Sequence, residues 1–155
     1  MKIAWITFDF LEYSSNHVQA MAGENDLLFV LPRSEGSTPD EIADFGVEAF
    51  CFRKPRLRQP LKQMRVCSSI VRRVRRFNPD VVHFQQGHLW FNFVLPALRK
   101  YPLVMTIHDP RRHPGDSESH KTPQWSQDFG FKQADRVIVH GKYLVDIVRD
   151  EIGIP

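Results

Sequence analysis

A strand–helix–strand pattern in the middle of the chain constrains the fold more than any other feature. The apolar run Val81–Phe84 is followed by a short polar loop, by the apolar segment Leu89–Leu98 and by a second run, Leu103–Ile107. Two strands joined by a helix form a βαβ unit, and such units build parallel sheets. In an open parallel sheet, ligands bind beyond the carboxyl ends of the strands. The polar residues that follow these two strands are therefore the predicted functional site: Gln85, Gln86, His88, His108 and Asp109.

The rest of the chain repeats this alternation of strands and helices. Further apolar or β-branched runs predict strands at Lys2–Phe8, Leu27–Leu31, Val47–Phe52 and Arg136–His140. The helices predicted between and after them run from Ser15 or Asn16 to Met21, over Leu61–Phe77, from Thr122 to Gln133 and over Tyr143–Glu151. This order predicts an α/β fold, namely a Rossmann-like doubly wound parallel sheet with helices on both faces. With 155 residues, the chain is most simply one domain.

Composition narrows the class of protein further. A hydrophobic fraction of 42% and a charged fraction of 25% are typical of a soluble globular domain. No apolar run reaches the roughly 20 residues that span a bilayer, and the N-terminus enters a strand without a cleavable signal. Cys51 and Cys67 lie in apolar surroundings, so we expect both to be core thiols of a cytoplasmic protein.

A strongly basic segment runs from Arg53 to Arg76. It carries ten Lys and Arg residues, and no acidic residue occurs between Glu48 and Asp80. Apolar residues at three- and four-residue spacing predict one buried helix face, formed by Leu61, Met64, Cys67, Ile70, Val71, Val74 and Phe77. The opposite cations fit a solvated face, a docking surface for anionic phospholipid on the inner side of a membrane, or a surface for a phosphate-bearing substrate. Nucleic acid is not favoured, because no recognised nucleic-acid-binding motif accompanies the charges.

Familiar cofactor and catalytic motifs do not occur in the sequence. Neither GxGxxG nor GxxxxGK[ST] is present, so a dinucleotide-dependent dehydrogenase is not expected. Neither HExxH nor paired Cys motifs occur, so no metal site and no cofactor is predicted. His83 lies within a strand and is expected to be buried and hydrogen-bonded. His108 ends the next strand, where an imidazole can exchange a proton near neutral pH; its alternative role is a structural hydrogen bond to the following loop.

Four pieces of the sequence form an ordered set. They are Asn78–His83 (NPDVVH), Pro102–Asp109 (PLVMTIHD), Ala134–Gly141 (ADRVIVHG) and Gly153–Pro155 (GIP). Their order and spacing resemble the N-terminal half of the family 4 glycosyltransferases, which have the GT-B fold of two Rossmann-type domains around a cleft. The resemblance implies retaining transfer of a sugar from a nucleotide sugar, without a required metal and in a pathway such as polysaccharide biosynthesis. In that family the N-terminal domain mainly binds the acceptor, and the C-terminal domain holds the donor.

The resemblance also defines the expected site and partners. His108 and Asp109 are the predicted catalytic residues, and a glycan or lipid-linked acceptor is expected to contact Gln85, Gln86, His88, Arg111 and His113. The family often has a glycine-rich turn after the first strand; here the turn is Asp9–Ser15 and contains no glycine. We expect the chain to need a C-terminal donor-binding domain, in cis or in trans, and to be inactive alone. The competing interpretation is a non-catalytic Rossmann-like module that binds a sugar or nucleotide without turnover.

Overall fold

Six parallel strands form one sheet in the computed structural model, which describes residues 1–33, 42, 44–111 and 122–154. The strands are β1 Lys2–Thr7, β2 Asp26–Pro32, β3 Glu48–Phe52, β4 Val81–Gln85, β5 Leu103–Ile107 and β6 Arg136–Val139. They lie in the order β3-β2-β1-β4-β5-β6, and every neighbouring pair is parallel. The predicted doubly wound parallel sheet is therefore confirmed. The strand order reverses between β1 and β4, which is where such sheets form their ligand crevice.

Helices cover both faces of the sheet. They are α1 Leu11–Met21, α2 Pro60–Phe77, α3 Leu89–Asn92, a 3-10 helix Leu95–Leu98, α4 Gln124–Phe131 and α5 Lys142–Asp146, which continues as a π-helix over Ile147–Ile152. Because α1 begins at Leu11, the prediction of a loop up to Ser15 is wrong. Phe10 adopts a left-handed conformation with φ of 56°. This reversal leads the chain from the end of β1 directly into the helix.

The predicted helix over Leu89–Leu98 is two short pieces rather than one. α3 ends at Asn92, and Pro96 occupies the first turn of the 3-10 helix. Proline has no amide hydrogen, and its ring crowds the carbonyl group four residues earlier. A continuous α-helix through Pro96 would therefore lose its bond to the carbonyl of Asn92, and the chain breaks between the two pieces.

The sheet separates two hydrophobic cores. Alternate residues of β1 face opposite sides, so that Trp5 packs with Val18 of α1 while Ile6 belongs to the core under the other helices. Residues Leu27 to Leu31 of β2 are all buried, as expected for a parallel strand covered on both faces. The structure confirms that both cysteines are free thiols, one buried and one half-buried.

The first turn of α2 faces a different way from the sequence prediction. The inward residues of the helix are Gln63, Cys67, Ile70, Val71 and Val74. Leu61 is 71% exposed and Met64 is 59% exposed, so their predicted burial is wrong. Gln63 takes the inner position because its amide nitrogen donates to the Pro55 carbonyl oxygen over 2.9 Å, a partner that the preceding loop supplies.

Among the described residues, no helix combines the length and the apolar character needed to cross a membrane.

Candidate functional site

The carboxyl ends of neighbouring strands bring their following residues together at one edge of the sheet. Gln85 ends β4, His108 follows β5 and His140 follows β6. Phe10 and Tyr13, from the turn after β1 and the start of α1, contact the ring of His108. We call this group the edge cluster: Phe10, Tyr13, Gln85, His108 and His140. It forms where the sequence predicted a functional site, but only two of its five members were predicted.

His108 lies at the centre of the edge cluster, and both of its ring nitrogens have protein partners. The side-chain amide nitrogen of Gln85 donates to Nε2 of His108, and Nδ1 lies 3.0 Å from Nε2 of His140. Because an amide nitrogen can only donate, Nε2 of His108 accepts, so Nδ1 carries the proton and donates to His140. The two bonds fix both the orientation of the ring and its neutral tautomer.

Aromatic rings form the walls around His108. Phe10 stacks on its imidazole with 3.9 Å between ring centroids and 10° between the planes. Tyr13 meets the rings of His108 and His140 edge-on, at centroid distances of 5.1 and 5.4 Å. A side chain held by stacking and by two hydrogen bonds keeps one rotamer, which is the condition for a preorganised site.

The surroundings of His108 keep its imidazole neutral. Burial first, and the neighbouring imidazole of His140 second, lower the pKa of His108 to about 4, although the Asp109 carboxylate acts in the opposite direction. At neutral pH the ring is therefore uncharged. An uncharged imidazole has one donor and one acceptor nitrogen; in His108 the acceptor is occupied by Gln85, so the Nδ1–H group is the one that points toward His140.

Two glutamines support this arrangement from β4. Gln85 is 1% exposed, so its side chain orients His108 rather than offering an accessible contact. The Oε1 atom of Gln86 accepts hydrogen bonds from the backbone amides of His108, at 2.9 Å, and Asp109, at 3.3 Å. Gln86 has a φ of 41°, which turns its chain out of the strand. Gln86 thus clamps the end of β5 to the end of β4.

The other predicted site residues have separate surroundings. Asp109 is half-buried beside His108. The guanidinium of Arg111 forms ion pairs with Asp128 of α4 at 3.0 Å and with Glu151 at 2.9 Å. The hydrogen bond to Glu151 is the main reason why the pKa of Arg111 is raised. Arg111 therefore ties the loop after β5 to two helices, and His113 lies outside the described residues.

A cleft of about 750 Å³ opens along the loop that follows β3, beside the loops that follow β1 and β4. It is lined by Asp9, Lys54, Pro55, Arg56, Leu57, Arg58, His88 and Thr122. The ammonium group of Lys54 donates to the Asp9 carboxylate at 2.6 Å and to the Phe8 carbonyl oxygen at 3.1 Å. Lys54 thereby ties the loop after β3 to the end of β1. The cleft carries more positive than negative charge.

His88 is the buried polar side chain of this cleft. It is 5% exposed, and its ring stacks on Phe8 with 4.1 Å between centroids. Neither ring nitrogen has a hydrogen-bond partner in the described part of the chain. Burial, followed by the charge of Lys54, lowers the pKa of His88 to about 3. Leaving a buried polar group unpaired costs free energy. A ligand that donates one hydrogen bond to His88 and accepts another from it would remove this cost.

A buried contact between two helices fixes the position of His88. Asn92 of α3 is fully buried; its Oδ1 accepts from the backbone amide of His88 at 3.1 Å, and its Nδ2 donates to the Ser126 carbonyl oxygen at 2.8 Å. Gly130 of α4 approaches so closely that a Cβ atom there would lie 2.5 Å from Cγ of Asn92. The missing side chain at Gly130 allows α4 to pack against α3 beneath the site.

Sequence reasoning missed four contributors to the site: Phe10, Tyr13, Lys54 and His140. Parallel register pairs Ile107 with Val139, so the histidines that follow them are neighbours. The rule that selected His108, a polar residue directly after a strand, would also have selected His140. Tyr13 was placed in a loop because the start of α1 was predicted too late. Lys54 gave no signal, because its contact with the end of β1 depends on tertiary folding.

The residues of the two regions suit a hydroxyl-rich or anionic ligand. The edge cluster offers the oriented, neutral imidazole of His108 beside the exposed ring of His140, and the cleft offers His88 with the guanidinium groups of Arg56 and Arg58. In the part of the chain that the structure describes, no group of three or more His, Cys, Asp or Glu residues is arranged to hold a metal ion. Sugars present hydroxyl groups and phosphorylated sugars also present anions, so both match the groups available.

Comparison with known proteins agrees with the resemblance seen in the sequence. The family model for the glycosyl transferase 4-like domain matches residues 15–155. No curated protein matches the chain. Similar solved structures include a putative UDP-N-acetylglucosamine 2-epimerase from Listeria monocytogenes, with a TM-score of 0.74 and 15% identity over 100% of this chain and 43% of that one.

Two further epimerase structures show the same likeness. The UDP-GlcNAc 2-epimerase from Neisseria meningitidis, bound to UDP-GlcNAc, has a TM-score of 0.65 and 13% identity over 100% of this chain and 44% of that one. The UDP-GlcNAc 2-epimerase from Methanocaldococcus jannaschii has a TM-score of 0.65 and 11% identity over 98% of this chain and 43% of that one. The chain thus spans less than half the length of these proteins, and at such identities the likeness shows the fold alone.

Proposed function

The chain belongs to the glycosyl transferase 4-like family, and we propose that it is the acceptor-binding, N-terminal half of a retaining glycosyltransferase. In this proposal the enzyme transfers a sugar from a nucleotide sugar to a glycan or lipid-linked acceptor. The donor is held by a C-terminal domain, present in cis or in trans, and the chain alone is inactive. Family membership supports the reaction class, and the position of the edge cluster at the carboxyl ends of the strands supports the location of the site.

The observation that carries the proposal is the pairing of His108 with His140. Sugar transfer requires an acceptor hydroxyl held within about 3 Å of the anomeric carbon. His108 is neutral, and Gln85 fixes its ring from the buried side. His140 is exposed, so a hydroxyl group that enters from its side would replace the direct bond between the two imidazoles, accepting from Nδ1 of His108 and donating to Nε2 of His140. The pair would then position the hydroxyl as both donor and acceptor of hydrogen bonds.

The remaining predicted residues extend this acceptor site. Asp109 follows His108 and would accept a hydrogen bond from a second hydroxyl of the acceptor. His88, with its unpaired nitrogens, would bind a polar group further along the cleft. Arg56 and Arg58 line the same cleft and would pair with anionic groups if the acceptor carries them. Gln85 and Gln86 act by holding His108 and the end of β5 in place.

Calorimetry with nucleotide sugars tests the proposed division between the two halves. The chain alone should not bind UDP-GlcNAc or another nucleotide sugar with low-micromolar affinity, because its sequence contains no glycine-rich loop that cradles phosphates. Transfer to an acceptor should appear only when the donor-binding half is supplied. Low-micromolar binding by the chain alone, equivalent to about −8 kcal/mol, would contradict the proposal.

A non-catalytic sugar- or nucleotide-binding module is the competing function. The cleft at His88 favours this function, because the unpaired ring nitrogens of His88 can bind a ligand there without a reaction. This function predicts the reverse pattern: the chain alone binds the ligand, and no transfer follows when a second domain is added. The preorganised pair of His108 and His140 favours the transferase, since binding alone does not require a fixed neutral tautomer.

A further inference from the structure

One surface of the molecule combines exposed apolar side chains with a dense group of cations. It is formed by the loop after β3 and the first turns of α2. We call it the basic patch, which consists of Arg53, Arg56, Arg58, Leu61, Lys62, Met64 and Arg65; all seven side chains are exposed. We propose that the basic patch docks this protein on an anionic phospholipid bilayer, with Leu61 and Met64 entering the headgroup–acyl boundary.

The apolar part of the patch is a pair of side chains on one helix surface. Leu61 and Met64 are three residues apart and therefore lie next to each other on α2. Their exposures of 71% and 59% follow from the inward position of Gln63, which bonds to the Pro55 carbonyl oxygen. A single exposed leucine is common on proteins. Two adjacent apolar side chains surrounded by cations have the composition of an interfacial helix surface.

The charge of the patch has one sign. Five cations surround the apolar pair, and no acidic residue occurs anywhere between Glu48 and Asp80. Within the described residues, none of the five forms an ion pair. A groove of about 580 Å³ runs between the loop and the helix, and its lining includes Arg53, Arg56, Lys62 and Arg65. Each of these side chains can pair with a lipid phosphate, and clustered Lys and Arg residues are attracted to anionic bilayers.

The patch is a preformed part of the fold. The loop is held at Leu57, whose carbonyl oxygen accepts a hydrogen bond from the indole nitrogen of Trp90 at 3.1 Å. It is also held at Pro55 by Gln63 and at Lys54 by the end of β1. Binding therefore orders few additional residues. The groove and the cleft at His88 share Lys54 and Arg56 in their linings, so a docked bilayer would lie beside the cleft.

The chemistry of the patch selects a bilayer over other anionic partners. Single-stranded nucleic acid is usually bound by aromatic side chains on which bases stack, and the patch contains none. A soluble phosphate would use the cations but would leave Leu61 and Met64 in water. A bilayer of anionic phospholipid satisfies both components at once, because it offers phosphates beside acyl chains.

Co-sedimentation of the full chain with lipid vesicles tests the inference. We expect binding to phosphatidylcholine vesicles that contain phosphatidylglycerol and none to phosphatidylcholine alone, with binding that weakens as salt is added. Combining Arg58→Gln, Lys62→Gln and Arg65→Gln should reduce the binding roughly 10- to 100-fold. Combining Leu61→Ser and Met64→Ser should remove the part of the binding that persists at high salt. Thermal melting of each variant shows whether it is folded.

A matched control lies at the other end of the same helix. Arg72→Gln, Arg75→Gln and Arg76→Gln together remove the same charge from exposed positions of α2, and they should weaken binding far less than the patch variant. Equal loss in both triple variants would mean that net charge alone drives binding, and would overturn the inference. Binding to neutral vesicles as strong as to anionic ones, or no vesicle binding, would overturn it too, as would competition by inorganic pyrophosphate at low concentration.

Discussion

Two histidines on neighbouring strands have similarly lowered pKa values but lie in different regions. His83 lies within β4, is 7% exposed, stacks on Trp5 with 3.8 Å between centroids and shares a 2.9 Å hydrogen bond with Thr106. His108 follows β5 and belongs to the edge cluster. Burial lowers the pKa of each to about 4. A lowered pKa therefore reports burial here, and the position relative to the strand end distinguishes the structural histidine from the candidate functional one.

After burial, the second cause of the lowered pKa is a different neighbouring histidine in each case. For His83 it is the charge of His17, and for His108 it is the charge of His140. Tyr13 links the two regions, because its ring stacks on His17 at 4.1 Å and meets His108 edge-on. Helix α1 thus contacts the surroundings of both histidines. Among the described residues, His83 shares a hydrogen bond with the buried Thr106, whereas His108 shares one with the exposed His140. A ligand would therefore approach His108 from the side of His140.

Replacing the buried histidine should produce the largest change in stability. His83→Ala removes a packed ring from Trp5 and leaves the buried hydroxyl of Thr106 without its partner. Loss of packing and loss of a buried hydrogen bond together should lower the free energy of unfolding by about 2–4 kcal/mol. Urea denaturation measures this change. His17→Ala, at an exposed position in the same stack, is the control and should change stability by less than about 0.5 kcal/mol.

A His83→Ala variant with unchanged stability would remove the distinction drawn between the two histidines. So would a larger loss of stability in His108→Ala than in His83→Ala. Either result would mean that the edge cluster stabilises the sheet more than the contacts of His83 with Trp5 and Thr106 do.

Strands were predictable because each buried parallel strand is a continuous apolar run that needs no tertiary information. The failures occurred where a distant residue decides the local structure. Helix α1 starts at Leu11 because Phe10 takes a left-handed conformation, which periodicity does not reveal. The first turn of α2 is rotated because the buried Gln63 finds the carbonyl of Pro55. An apolar count favoured Leu61 and Met64 instead, and those two are exposed.

The burial of His83 should also make the stability of the protein depend on pH. The unfolded chain protonates its histidines below about pH 6.5, whereas folded His83 does so only near pH 4. The contribution of neutral, buried His83 to the free energy of unfolding is therefore complete above pH 6.5 and is lost as the pH falls toward 4. Each such histidine contributes a slope of about 1.4 kcal/mol per pH unit in this window.

Denaturation of His83→Gln at several pH values isolates this contribution. The variant lacks one titrating group, so its stability should fall less steeply than that of the parent chain between pH 6.5 and 4. His88, with a pKa lowered to about 3, remains in both proteins and serves as an internal control. Identical slopes would show that His83 does not titrate as its burial requires.

The gathering of strand-end residues at one edge of the sheet was predictable, but the geometry of this candidate site was not. The rule that ligands bind at strand ends selected Gln85, Gln86, His88 and His108 without any structure. The bond between His108 and His140 depends on the register of β5 and β6, which sequence does not specify. Gln85 is a buried support rather than an exposed contact for the same reason, since burial of a strand's last residue is decided by its neighbours. The carboxylate partners of Arg111 come from helices that are distant in the chain.

The most direct test of the central claim is His108→Ala in the enzyme assembled with its donor-binding half, with turnover and melting temperature measured on the same samples. If His108 positions the acceptor hydroxyl, turnover should fall by about one to three orders of magnitude while the melting temperature changes little. If activity instead follows the folded fraction of a destabilised protein, or if both activity and stability are retained, His108 is not the functional residue of the edge cluster.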